Sequence, residues 1–153
     1  MVQHSRKPAV LVLALIAAMA TAAWPLASRL PGHGAGQGTL AELELLIAAG
    51  DADARTWFAY GQRLAETGRH AHAAMAFRKA LELDPLHRES RMSCATSLAR
   101  SQQHDELAAY LHDLLLADAK LALDLFEDPA LRPLRATPRF AALHEEARLQ
   151  SLD

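Results

Sequence analysis

Hydrophobic positions recur along this chain in two ways. From Ala9 to Ala27 they run almost without interruption and without a charge, AVLVLALIAAMATAAWPLA. From Leu40 onward they return every three or four residues, the period of helices that lie on a core, and short breaks separate the runs. Thr39 is placed to cap a helix over Leu40–Ala49, with Leu43, Leu46 and Ile47 on one face and Gly50 as its stop. A second helix over Ala54–Glu66 carries Trp57, Tyr60, Gly61 and Leu64 as a stripe, and Gly68 ends it. A third, over His70–Leu83, aligns Ala73, Ala74, Phe77, Ala80 and Leu81 before Asp84-Pro85 breaks it. A break of two or three residues folds the second and third helices into an antiparallel pair. Gly61 and Ala73 are small enough to let that pair approach closely, with Trp57 and Phe77 filling the space around them.

The unbroken run is of another kind. A helix from Ala9 to Ala27 would span roughly 28 Å at about 1.5 Å per residue, close to the hydrocarbon thickness of a bilayer. Arg6 and Lys7 precede it and Trp24 lies near its far end. The basic flank, residues 1–8, belongs on the cytoplasmic side by the positive-inside rule, which makes 9–27 a transmembrane anchor and exports the rest. The alternatives are a cleaved signal peptide, for which Ala18-Met19-Ala20 is an acceptable site, and an apolar helix that does not enter a membrane. Either of the first two readings places the helical domain in the periplasm or an equivalent exported compartment. Residues 28–39, SRLPGHGAGQGT, have four glycines and no apolar period and read as a tether, with His33 a solvated polar residue within it.

Composition narrows the function. Apolar residues make up 51 % of the 153, largely Ala and Leu, and aromatics only 5 %, a balance that favours helices over strands. With Arg6 and Lys7 set aside from the 16 basic residues, 14 remain against 18 acidic ones, which argues against nucleic-acid binding. Cys94 is the single cysteine, so the chain forms no internal disulfide and no cysteine cluster for a metal. Between apolar neighbours and next to Ala95, it reads as a buried structural thiol.

No catalytic motif is present: there is no G-x-S-x-G, P-loop or H-E-x-x-H, and no glycine-rich turn after a strand. His70 and His72 are two apart, which points them to different sides of a helix, and no histidine lies three or four residues from His104, His112 or His144. His104-Asp105 reads as a helix start and His144-Glu145-Glu146 as a solvated face. The sequence predicts no enzyme, no cofactor and no metal.

Residues Trp57 to Pro85 resemble the tetratricopeptide repeat, a helix-turn-helix unit of 34 residues with the pattern W-x2-L-G-x2-Y, then A-x3-F, then P. Trp57, Gly61, Ala73, Phe77 and Pro85 match in register, with Gly68 at the turn and Ala80 in the second helix, while Tyr60 and Leu64 exchange the large residue types. One repeat cannot bury its apolar face alone. A shift of 34 residues places Ala95, Leu98, Leu107, Leu111 and Leu114 under Gly61, Leu64, Ala73, Phe77 and Ala80. It gives a degenerate second repeat with helices over Leu86–Arg100 and Asp105–Ala117, in which Arg91 replaces the Trp.

The resemblance thus implies an all-α solenoid over 40–147: a covering half-repeat from Leu40, a clear repeat at 54–87 and a degenerate one at 88–121. Pro129 falls on the next small-residue position and stops the array. Residues 126–147 then form a closing segment in which Leu131, Leu134, Phe140 and Leu143 cover the last helix, with Pro138 at a helix start.

In this family the first helix of each repeat lines a groove for a partner polypeptide. By register the groove positions here are Arg55, Phe58, Gln62, Ala65 and Glu66, then Glu89, Met92, Thr96, Ala99 and Arg100. Phe58 and Met92 are the expected apolar contacts, and Arg55 and Arg100 the expected holders of a carboxylate. The implied function is a non-catalytic scaffold that binds another protein or peptide. Leu40 to Pro85 is also similar to the repeat regions of cytochrome c maturation proteins, which hold the apocytochrome tail. The alternative function is a structural assembly or stability factor of an envelope complex, such as a secretion or pilus system. The sequence leaves the oligomeric state open.

Overall fold

The computed structural model describes residues 38–152. The basic flank, the apolar segment 9–27 and most of the tether lie outside them. Among the described residues the chain is all-α, with seven α-helices, one 3-10 helix and no strand. None of these helices is long and apolar enough to cross a membrane.

Each helix begins and ends for a local reason. The first, α1 (Leu40–Ala49), opens with a capping box: the Thr39 N–H donates to the Glu42 carboxylate at 2.8 Å, and the Glu42 N–H to Thr39 Oγ1 at 3.4 Å. Gly50 closes it in the left-handed region, φ 81°. Helix α2 (Ala54–Glu66) is capped by Asp53, which accepts from both the hydroxyl and the backbone N–H of Thr56 at 2.7 and 2.8 Å. Those two bonds, the hydroxyl's first, hold the Asp53 carboxyl below its ordinary pKa.

After the turn at Gly68, φ 78°, α3 (His70–Leu83) runs back along α2. A Cβ on Gly61 would lie 2.6 Å from the Phe77 ring, so this crossing depends on the missing side chain.

The second pair is α4 (Arg88–Arg100) and α5 (His104–Ala117). Helix α4 starts two residues later than the hydrophobic pattern suggested. Asp84 accepts the N–H of Leu86 at 3.1 Å and holds that residue in a turn, and His87 Nδ1 then caps the helix by accepting from Ser90 N–H at 3.1 Å. The helix starts repeat: α2 and α4 begin at Ala54 and Arg88, and α3 and α5 at His70 and His104. Gln102 occupies the position of Gly68 and adopts the same left-handed conformation, φ 59°.

Downstream the period holds for one helix and fails for the other. Helix α6 (Ala119–Phe126) is short, is capped by Asp118 through the Leu121 N–H at 2.9 Å, and was not foreseen as a separate element. Asp128-Pro129 ends that stretch, a 3-10 turn (Arg132–Ala136) follows, and α7 (Pro138–Gln150) starts with proline in its first turn. Leu131, Phe140 and Leu143 are buried and Leu134 packs against the same core, so this segment covers α5 and α6.

One continuous core runs from Leu64 to Ala147. Ion pairs tie successive layers along the surface: Arg78 to Glu106 from α3 to α5, Arg88 to Asp124 from α4 to α6, and Arg139 to Asp105 from α7 to α5.

Candidate partner-binding groove

Helices α2 and α4 lie side by side, and a cleft of about 370 Å³ opens between them. Six of the ten expected positions line it: Gln62, Ala65 and Glu66 from α2, and Met92, Thr96 and Arg100 from α4. They converge because residues three and four apart share a helix face and the two helices present equivalent turns. Phe77 from α3 floors the cleft, so its base is apolar and its rim polar.

The remaining four positions behave otherwise. Phe58 was expected as an exposed aromatic, but it is half-buried, with its ring 5.6 Å from Phe77 and 4.9 Å from His87. It supports the floor from behind. Ala99 is buried at 8 % exposure, because its side of α4 belongs to the core. Arg55 and Glu89 are exposed but outside the cleft lining, and Glu89 lies 3.8 Å from His87. Arg55 and Arg100 are therefore not two walls of one carboxylate site. Arg100 alone faces the cleft.

Sequence reasoning missed five lining residues. Ser93 and Ser97 follow Met92 and Thr96 directly and share their side of α4, so their signal was present in the spacing. Phe77 reads as a core residue and is one, at 1 % exposure, with its ring directly beneath the cleft. His70 opens α3, and its Nδ1 is buried in the wall without a hydrogen-bond partner. Asp128 arrives from beyond α6, where the 34-residue period had lapsed and gave no guide.

Charge in the cleft is unevenly satisfied. Glu66 pairs with Arg63 at 2.9 Å, and Asp128 accepts from Thr96 Oγ1 at 3.4 Å and from the Ala130 N–H at 2.7 Å. Arg100 has no hydrogen bond or ion pair among the described residues. Its guanidinium is thus the cleft charge without a protein partner among the described residues, with Met92 and Ala65 as apolar surface beside it and Phe77 buried beneath.

Other chemistry-bearing groups are committed to the fold. Cys94 is buried between α3 and α4 with its thiol 3.8 Å from the Ala74 carbonyl, and burial pushes its pKa up to about 11. Tyr110 donates to the Arg91 carbonyl at 3.2 Å, and burial raises its pKa as well. His144, expected on a solvated face, instead meets the Phe126 ring edge-on at 5.1 Å. Among the described residues no three His, Cys, Asp or Glu side chains gather as a metal ion requires. Compared with known proteins, the chain matches no family model, no curated protein and no solved structure.

Proposed function

We propose that this protein is a non-catalytic scaffold of the tetratricopeptide-repeat type that holds a segment of a partner polypeptide in the cleft between α2 and α4. One observation carries the reading: six positions chosen by repeat register alone line a single cleft in which, among the described residues, Arg100 is the charge with neither a hydrogen bond nor an ion pair. The cleft takes an apolar side chain over Ala65 and Met92 and an acidic or terminal carboxylate at Arg100. If residues 9–27 are an uncleaved anchor, as the sequence reads, the scaffold sits on the exported side of a membrane, where confinement raises the effective concentration of a partner held at the same surface. Capture of an apocytochrome tail for haem attachment is the narrower form of this function.

The test is photocrosslinking of the full-length protein in its native membrane from position 92, with Arg100→Glu as the paired variant. An exported protein captured at 92, competed by its own peptide and lost by about tenfold or more in Arg100→Glu, supports the reading, and the chain's identity decides the cytochrome question. Undiminished capture from position 92 in a folded Arg100→Glu protein overturns it. A second reading, an assembly factor of an envelope complex, is favoured by the leucines exposed at both ends of the domain, Leu45 and Leu46 on α1 and Leu149 and Leu152 at the end of α7. Adducts from those ends, with none from the cleft, decide for it.

A further inference from the structure

Helix α7 buries Phe140, Leu143 and Ala147, and its opposite face is uncovered. That face carries Ala141, Ala142, Glu145, Arg148 and Leu149, and Leu152 extends it; Leu149 is 57 % and Leu152 79 % exposed. Beside it, between α5 and α7, lies a second cleft of about 430 Å³. Ala108, Ala109 and Ala142 line it with small side chains, and Asp113 and Glu146 put acid on its rim. An exposed leucine pair thus lies beside a cleft lined by small and charged side chains.

We infer that a second copy of this chain covers this face, with the two α7 helices antiparallel about a two-fold axis. The order of residues along the helix singles out this occupant. Reading from the N-terminal end, the face runs small, acid, base, and then large in the turn that follows the helix: Ala141, Glu145, Arg148, Leu152. Reversed against itself, that order sets Ala141 opposite Leu152 and Glu145 opposite Arg148, and the two-fold makes each pairing twice. Small residues meet large ones and acid meets base. Within one copy Glu145 and Arg148 already pair across one turn at 2.7 Å, so both carry their charge at the surface where the copies meet.

The exposed face of α1 lacks this property. Residues 38–53 hold Glu42, Glu44, Asp51 and Asp53 and no basic residue, so two α1 helices would bring like charges together. The α7 contact is one helix long, well short of the roughly 1,200–2,000 Å² of a standard stable interface. The dimer is accordingly weak in dilute solution and depends on concentration.

Charge reversal in two separate copies tests this directly. Arg148→Glu gives a face with acid at both positions, and Glu145→Arg one with base at both. Each full-length variant, purified in detergent and shown helical by circular dichroism, is expected to be monomeric at a concentration where the parent dimerises. Mixed in equal amounts, the two are expected to form a heterodimer, seen by sedimentation or native mass spectrometry. A role confined to the pair within one helix does not produce recovery on mixing. Ala141→Cys with Leu152→Cys is expected to yield a disulfide-linked dimer on mild oxidation, whereas Leu45→Cys yields none; Cys94 is buried and stays silent. A parent that remains monomeric as its concentration rises a hundredfold, or a mixture that does not recover, overturns the proposal, as does crosslinking through position 45 alone.

Discussion

At Gly61 the two helices of the first pair meet without a side chain between them. Gly61→Ala forces a methyl group into the Phe77 ring and is expected to cost about 1–3 kcal/mol, read as a shift of urea midpoint at constant slope. The equivalent pair 34 residues on is Ala95 and Leu111, both buried, where a larger residue on one helix is matched by a smaller one on the other. Gly61→Ala with Phe77→Leu should therefore lose less than the two single changes added together. Gln102 is the opposite case, a side chain where Gly68 stands in the first pair. Gln102→Gly is expected to stabilise by about 0.5–1 kcal/mol, the left-handed penalty less the chain entropy that glycine adds. Cys94 gives a pH signature. Its thiol keeps its proton in the fold up to about pH 11, whereas in the unfolded chain it loses it nearer the ordinary thiol value. Its contribution is complete below that ordinary value and is lost as pH rises through about 11. Unfolding followed from pH 8 to 11 should show a fall in stability that is smaller in Cys94→Ala.

At the scale of the element, what was legible in the sequence follows from how local its cause is. Helices α1, α2 and α3 have the bounds that the hydrophobic period and the Thr39, Gly50, Gly68 and Pro85 signals indicate, because caps and stops act within a turn. The start of α4 was misplaced because the turn at Asp84 and the cap by His87 Nδ1 rest on side-chain geometry that a hydrophobic pattern does not carry. Helix α6 was missed because it departs from the 34-residue period and starts on Asp118, directly after α5. In the cleft, register found the residues that α2 and α4 present together but not the inward turn of Phe58, which depends on Phe77 and His87. The segment after Pro129 was legible as a cover, and Phe140, only 4 % exposed, is its one buried aromatic side chain. Phe140→Ala is expected to cost about 3–5 kcal/mol, measured by thermal or urea unfolding.

For the whole molecule, the core is continuous but each helix packs mainly on its neighbours in sequence. Stability in such an arrangement is close to a sum of local and nearest-neighbour contributions. Gly61→Ala and Phe140→Ala lie in separate layers, and their costs should add to within about 0.5 kcal/mol if unfolding stays two-state. The ion pairs between layers are solvent-exposed, so Arg88→Ala should change stability by no more than about 1 kcal/mol, and less at high salt.

Arg63 Nε donates to the Gly38 carbonyl at 3.3 Å, just ahead of the capping box on α1. Any pull transmitted through the chain before Gly38 arrives first at that bond and then at the end of α1, a short helix held to the domain chiefly by Leu43 and its neighbours on α2. Loaded at one end, α1 is expected to peel from α2 before the cleft between α2 and α4 is distorted, and single-molecule pulling from position 38 should then show a first, low-force extension that releases its ten residues.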